Sequence, residues 1–218
     1  EIDTITDLNL SILKGEKVAI LGRNGSGKTT VIKLSSGLFG CTDGLVTFDG
    51  VDTKQIHNDD LSRSIGMVLQ DVQLFSGSVL ENITMGREGI SQEDVVQAAT
   101  ISGLDEFLGK MPVGYDLVLQ DKGKGLSGGQ RQAIAITRAI VHKPSHFILD
   151  EPTSAMDMNS EQQFISNFKE VYSDSTLIVV SHRMPLVNLV DRIIVMNDGK
   201  VVEDGPKDEI LAKLQPTT

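Results

Sequence analysis

The sequence predicts an α/β fold with three parts: a mainly parallel sheet core, an antiparallel β subdomain and an inserted α-helical subdomain. Three observations predict it. A short apolar run, KVAILG, leads directly into a glycine-rich loop and then a helical stretch, so strand, loop and helix follow one another without a gap. The later runs HFILD and TLIVV are continuously hydrophobic over FIL and LIVV instead of alternating, as suits strands covered on both faces. Between these two groups, residues from about 78 to 142 carry helical spacing of their apolar positions.

The elements come in order along the chain. Ile2, Ile5, Leu8, Leu10 and Ile12 alternate with polar residues and read as a strand already under way at Glu1, as expected of a domain excised from a longer polypeptide. After a KGE turn come the strand KVAILG, the glycine loop from Gly22 to Thr30 and the helix KTTVIKLSSGL. A strand pair is predicted next, LVTFDG with the IGMVLQ segment ending at Gln70. The helical block includes SQEDVVQAATISGLDEFL, opened by a Ser91-x-x-Asp94 capping box, and RQAIAITRAIVH. Strands return with HFILD, TLIVVSH and RIIVMNDGKVVEDG, the last folding back at an Asp198-Gly199 hairpin turn. The expected organisation is one domain over 1–218, with a core at about 1–77 and 143–218 and the helical subdomain at about 78–142.

Acidic residues outnumber basic ones 30 to 20, a formal charge of −10. That leaves no basic field to attract nucleic acid, so phosphate binding must be local, built from loops and helix ends. Cys41 is the one cysteine and cannot form an internal disulfide, which fits a reducing compartment. No apolar run approaches the ~18 residues of a membrane span, and no signal peptide is visible.

GRNGSGKT fits G-x-x-x-x-G-K-[ST] and sits between a predicted strand and a predicted helix, the context that makes the pattern meaningful. Gly22, Arg23, Asn24, Gly25, Ser26, Gly27, Lys28, Thr29 and Thr30 are therefore candidate nucleotide-binding residues. Backbone N–H groups of Gly25 to Thr29 and the positive helix end suit a β-phosphate. Lys28 suits the β- and γ-phosphates, and the Thr29 hydroxyl suits Mg²⁺. The strand before Asp150-Glu151 places both carboxylates at the carboxyl edge of the sheet, where α/β folds bind ligands. Asp150 is a candidate for the Mg²⁺ shell, and Glu151 for accepting the proton of a water attacking the γ-phosphate. An acidic pair before a proline is ordinarily a helix-start signal; its coexistence with the Lys28 loop favours catalysis. His182 comes after another apolar strand and is a candidate γ-phosphate contact. Gln70, after IGMVL, can touch Mg²⁺ or the attacking water. His57, His142 and His146 have no convergent partners in the sequence and read as surface or packing residues.

A second glycine loop, GLSGGQRQ, opens a helix about a hundred residues further on. Ser127 is a good N-cap, and Gly128-Gly129 expose backbone N–H groups to an approaching anion. A tight helix entry is the plainer reading, but glycine costs ~1 kcal/mol relative to alanine inside a helix. Because Gly25 to Thr29 already serve this chain's nucleotide, the nucleotide of a second chain is the natural target.

These residues jointly resemble the ATP-binding cassette ATPases over essentially the whole chain. GRNGSGKT, the Gln70 loop, LSGGQ at Leu126 to Gln130, ILDE at Ile148 to Glu151, SAMD at Ser154 to Asp157 and the Ser181-His182 pair occur in the family's order. The resemblance implies a P-loop NTPase-type core, ATP as substrate, Mg²⁺ as cofactor and two cassettes packed head to tail around two nucleotides. It implies catalytic roles for Lys28, Gln70, Glu151 and His182, and metal contacts from Thr29, Gln70 and Asp150. Leu126, Ser127, Gly128, Gly129, Gln130 and Asp157 would then face the partner's nucleotide. The finer pattern is similar to exporters of the type I secretion kind, carried by LQDVQLFSGSVLENI, GYDLVLQDKGKGLSGGQRQ and DEPTSAMD, with Gln120 where a glycine is common. That implies the motor domain of an exporter of proteins or peptides, soluble when excised. It would sit at the cytoplasmic face of the inner or plasma membrane, with a transmembrane domain in the same polypeptide and no nucleic acid partner. The family's adenine-stacking aromatic is expected upstream of Glu1, while Tyr115 and Tyr172 read as packing residues. The alternatives are the free ATPase subunit of an importer and a soluble, non-transport cassette protein. The second would ask for coiled-coil insertions and basic patches, which are absent.

Overall fold

The computed structural model describes residues 4–214. In chain order its strands are β1 Lys17–Gly22, β2 Thr47–Phe48, β3 Val51–Asp52, β4 Ile65–Val68, β5 Gly77–Ser78, β6 Val118–Leu119, β7 His146–Asp150, β8 Thr176–Val180, β9 Arg192–Asn197 and β10 Lys200–Pro206. The helices are α1 Lys28–Ser35, α2 Asn58–Ser64, α3 Val79–Thr84, α4 Gln92–Ser102, α5 Leu104–Leu108, α6 Gly128–Ile140, α7 Met158–Val171, α8 Met184–Val187 and α9 Lys207–Leu214. The contacts divide the chain into two units.

Among the described residues, the first unit holds 4–65, 145–150 and 174–214. Its sheet runs β10-β9-β1-β8-β7, with β4, whose first residue Ile65 belongs to this unit, at the far edge. β1 lies parallel to both β8 and β9, and β7 parallel to β8. β8 is buried at every position, which is why its sequence is apolar from Leu177 to Val180, and the hydroxyl of Thr176 at its start accepts from the Gly15 N–H at 2.9 Å. Val18, Ala19, Ile20, Phe147, Leu149, Leu177, Val179, Ile193 and Ile194 form the centre of the core. β10 pairs antiparallel to β9. The turn between them has Asp198 and Gly199 at φ 47° and 75°, the left-handed pair that a two-residue hairpin requires.

Two expectations fail in this unit. Residues 4–16 contain no strand; Ile2 lies outside the described residues. Ile5, Leu8, Leu10 and Ile12 are half-buried, so the alternation does mark an inward side, but Asp7 takes φ 52° and breaks the extended run. The segment is held instead by point contacts, Thr6 N–H to the Gly199 carbonyl at 3.2 Å and Arg192 Nη1 to the Ser11 carbonyl at 2.9 Å. Secondly, LVTFDG does not pair with IGMVLQ. β2 pairs with β3 across Asp49-Gly50, at φ 50° and 80°, a second Asp-Gly hairpin turn, whereas β4 joins the large sheet.

The second unit holds 66–144 and 151–173. Its centre is α6, whose Ala133, Ile134, Ile136, Ala139 and Ile140 are buried. α4 packs on it through apolar contact and a 2.7 Å hydroxyl pair, Ser102 with Thr137. The Ser91–Asp94 capping box expected at the start of α4 is present in both directions. Phe164, Phe168 and Tyr172 stack along α7, and the Tyr172 hydroxyl donates to the Ile140 carbonyl at 3.1 Å. Burial pushes that phenol up to about 12, so Tyr172 is a packing residue.

Candidate functional site

The first unit carries the phosphate loop. β1 ends at Gly22 and α1 begins at Lys28, and Gly25 and Gly27 between them take φ 82° and 99°, conformations that glycine reaches without the strain of a Cβ. α1 has no side-chain cap and no acidic residue in its first turn, as a helix start that is to receive an anion requires. Lys28 is buried, and its Nζ donates to the carbonyls of Gly22 at 2.7 Å and Arg23 at 2.9 Å. The ammonium is therefore held inside the curve of the loop. Ser26 Oγ is buried with no hydrogen-bond partner in the protein, a group that such burial ordinarily leaves paired. Gly22 admits no side chain: an added Cβ would lie 2.3 Å from the Met196 carbonyl oxygen and 2.6 Å from Ser26 Oγ.

The sheet register brings three candidates to one edge. Ile20 and Asp150 both stand opposite Val180, so Gly22, Asp150 and His182 all lie at the carboxyl ends of neighbouring strands. The Thr29 hydroxyl donates to Asp150 Oδ2 at 3.0 Å across 121 residues of sequence. A hydroxyl beside a carboxylate is a hard oxygen pair of the kind Mg²⁺ takes. No cluster of three or more His, Cys, Asp or Glu able to hold a metal occurs among the described residues, so the residues present fit a nucleotide-borne ion and not a protein cage. His182 is exposed, beyond the end of β8 at Val180.

The remaining candidates lie in the second unit. Gln70 is exposed, just past the end of β4 at Val68 and not within the strand. Glu151, covalently next to Asp150, is half-buried and takes φ 46°. Strain of this kind in a residue with a side chain costs of order 1–3 kcal/mol and concentrates at functional sites. Ser127 caps α6 as expected: its Oγ accepts from the Gln130 N–H at 3.2 Å, and Gln130 Oε1 accepts from the Ser127 N–H at 2.8 Å. Ser127 is exposed, Leu126, Gly128, Gly129 and Gln130 are half-buried, and Leu126 presents its carbonyl to Arg131 Nη1 at 2.7 Å. Asp157 is exposed and caps α7, accepting from the N–H groups of Asn159 and Ser160 and from the Ser160 hydroxyl at 2.7 Å. Those bonds, Ser160 first, hold its carboxyl below the ordinary value.

Three further residues, to which the sequence analysis assigns no role, support these segments. Asn82, on α3, holds the loop after Gln70: Oδ1 accepts from the Phe75 N–H at 2.8 Å, and Nδ2 donates to the carbonyls of Phe75 and Ser78. Arg138, on α6, donates to the carbonyls of Asn82 at 2.7 Å and Gln73 at 2.9 Å. Gln132, also on α6, grips residues 151–155. An arginine or glutamine inside the apolar pattern of a helix was the available signal.

The model of the ABC transporter family matches residues 5–154. The chain is similar to the cyclolysin secretion/processing ATP-binding protein of Bordetella pertussis, 42% identical over 210 residues, covering 96% of this chain and 30% of that protein. It is also similar to the alpha-hemolysin translocation ATP-binding protein of Escherichia coli, 41% identical over 209 residues with the same coverage. Among solved structures, a bacterial Atm1-family ABC exporter with ATP bound superposes with a TM-score of 0.91 at 32% identity, over 98% of this chain and 37% of that one. The chain thus spans between 30% and 37% of the length of these relatives. With the phosphate loop, the Thr29–Asp150 pair and a matched region covering more than half of its residues, the chain belongs to the ABC transporter family.

Proposed function

We propose that the chain is the ATP-hydrolysing motor of an ABC exporter of the type I secretion kind, moving proteins or peptides across a membrane. The observation that carries the reading is the phosphate loop with Lys28 held on the Gly22 and Arg23 carbonyls beside the Thr29–Asp150 pair. The secretion names of relatives sharing 41–42% of positions support the export direction.

In this reading the N–H groups of Gly25 to Thr29 and the Lys28 ammonium hold the β- and γ-phosphates. Thr29 and Asp150 would hold Mg²⁺, which when bound would neutralise charge on the phosphate oxygens, with Gln70 the further candidate ligand from the sequence. Glu151 takes a proton from water as that water's oxygen bonds to the γ-phosphorus, and the bond to the β–γ bridging oxygen breaks, leaving ADP and phosphate. His182 donates to the γ-phosphate. The segment Leu126 to Gln130, with Asp157, faces the nucleotide of a second copy, so each ATP is enclosed by two chains. No described helix is long and apolar enough to cross a membrane; attachment at the cytoplasmic face would come through a transmembrane domain.

The test compares steady-state turnover of the wild type with Glu151→Gln. We expect a loss of about 100-fold or more in kcat, in the range that a positioned general base contributes, with ATP still bound. Equal rates in the two proteins would remove Glu151 as the base.

A further inference from the structure

Gln132 has a buried amide for which the proposed chemistry so far provides no role. It lies in the second turn of α6 and is 3% exposed. All of its polar atoms engage one short stretch: Nε2 donates to the Glu151 carbonyl at 3.0 Å and to Ser154 Oγ at 2.9 Å, while Oε1 accepts from the Ala155 N–H at 2.9 Å. Both amide hydrogens and the oxygen are therefore used. One turn earlier the same helix meets the same stretch sterically. A Cβ on Gly128 would lie 2.9 Å from the Ala155 Cβ, and one on Gly129 would lie 3.1 Å from the Ala155 carbonyl oxygen.

Residues 151–155 are thus clamped to α6 at two adjacent turns. The stretch needs such a clamp because Glu151 sits at φ 46°, a conformation that persists only when its surroundings hold it. We propose that Gln132 is a positioning residue: its bond to the Glu151 carbonyl keeps the backbone of that glutamate in the left-handed conformation that aims the carboxylate. The proposal rests on the reading of Glu151 as the base. A misplacement of ~1 Å in a reacting group costs on the order of 100-fold in rate, so one hydrogen bond to the backbone of the base is enough to matter.

The experiment measures kcat and KM for ATP on the full chain, at concentrations where the rate per chain has levelled off. The proteins are wild type, Gln132→Glu, Gln132→Leu, Glu151→Gln and the double variant Gln132→Glu/Glu151→Gln. Gln132→Glu keeps the side-chain length and the acceptor for Ala155 but loses both donors. The expected result is a fall of about 10- to 100-fold in kcat for both Gln132 variants, with KM nearly unchanged. The double variant should be no slower than Glu151→Gln alone, because the two act through one group. Wild-type kcat in Gln132→Glu, or losses that multiply in the double variant, would overturn the positioning role. Should Gln132→Glu turn over normally while Glu151→Gln is slow, the base stands and the positioning role falls; should Glu151→Gln itself turn over normally, both fall. Thermal unfolding checks each variant's fold, and if Gln132→Leu does not fold, Gln132→Glu decides.

Discussion

Gly128 and Gly129 show how one residue type can answer two demands. As a sequence, SGGQ suggests backbone left bare for an anion. The structure adds a reason internal to the chain, since Ala155 occupies the space a Cβ would need. Neither demand displaces the other: the N–H groups face the helix entry, and the missing side chains face Ala155. Gly128→Ala should therefore destabilise the chain even without nucleotide, by about 1–3 kcal/mol, the cost of overpacking a close contact. Urea unfolding of the nucleotide-free protein reads this directly, and an unchanged midpoint would leave the anion as the sole reason for the glycine. Asp157 poses a similar question, since its carboxylate already accepts three bonds from the start of α7.

At the scale of elements, α6 joins most of the second unit's functional segments. Its first turn carries Ser127's cap, its second grips residues 151–155 through Gln132, and Arg138 further along holds the loop after Gln70. Strand β7 opens on His146, whose ring meets that of Phe48 at a tilt, centroids 4.6 Å apart, and has Ser145 Oγ 2.8 Å from Nδ1. Burial lowers its pKa from 6.5, with Lys14 acting in the same direction, against Asp49 and a Ser64 backbone bond. The unfolded chain thus binds the proton more readily than the folded one. His146 therefore stabilises the fold fully above pH 6.5, and that contribution is lost as pH falls from there through the lowered value. Thermal midpoints measured from about pH 7 to about pH 5 should fall less steeply in His146→Phe than in the wild type. Parallel slopes would show that the ring's burial has no energetic consequence.

At the scale of the whole molecule, the proposed head-to-tail pair makes a specific demand on mixtures. A Ser127→Arg chain with a Glu151→Gln chain forms one composite site carrying both defects and one carrying neither. Mixing the two inactive variants should restore about half of the wild-type turnover per mixed pair; full turnover by a lone chain at high dilution would mean that Ser127 does not serve a neighbour. Most of the fold and the candidate site was legible in the sequence because its signals are local. The phosphate loop, the Ser91–Asp94 box, the Ser127 cap, the Asp198-Gly199 turn and the apolar run from Leu177 to Val180 each depend on residues a few positions apart. Pairing is not local. Whether Ile5 to Ile12 forms a strand depends on a partner strand elsewhere in the chain, and no strand among the described residues pairs with it. The sequence by itself therefore determined which residues form the glycine loop between β1 and α1 and where several helices and turns begin. The tertiary structure alone decided that the Thr29 hydroxyl meets Asp150 across 121 residues and that Gln132 bonds to the Glu151 carbonyl. Such contacts depend on where distant segments come to rest, and spacing along the chain carries no record of that.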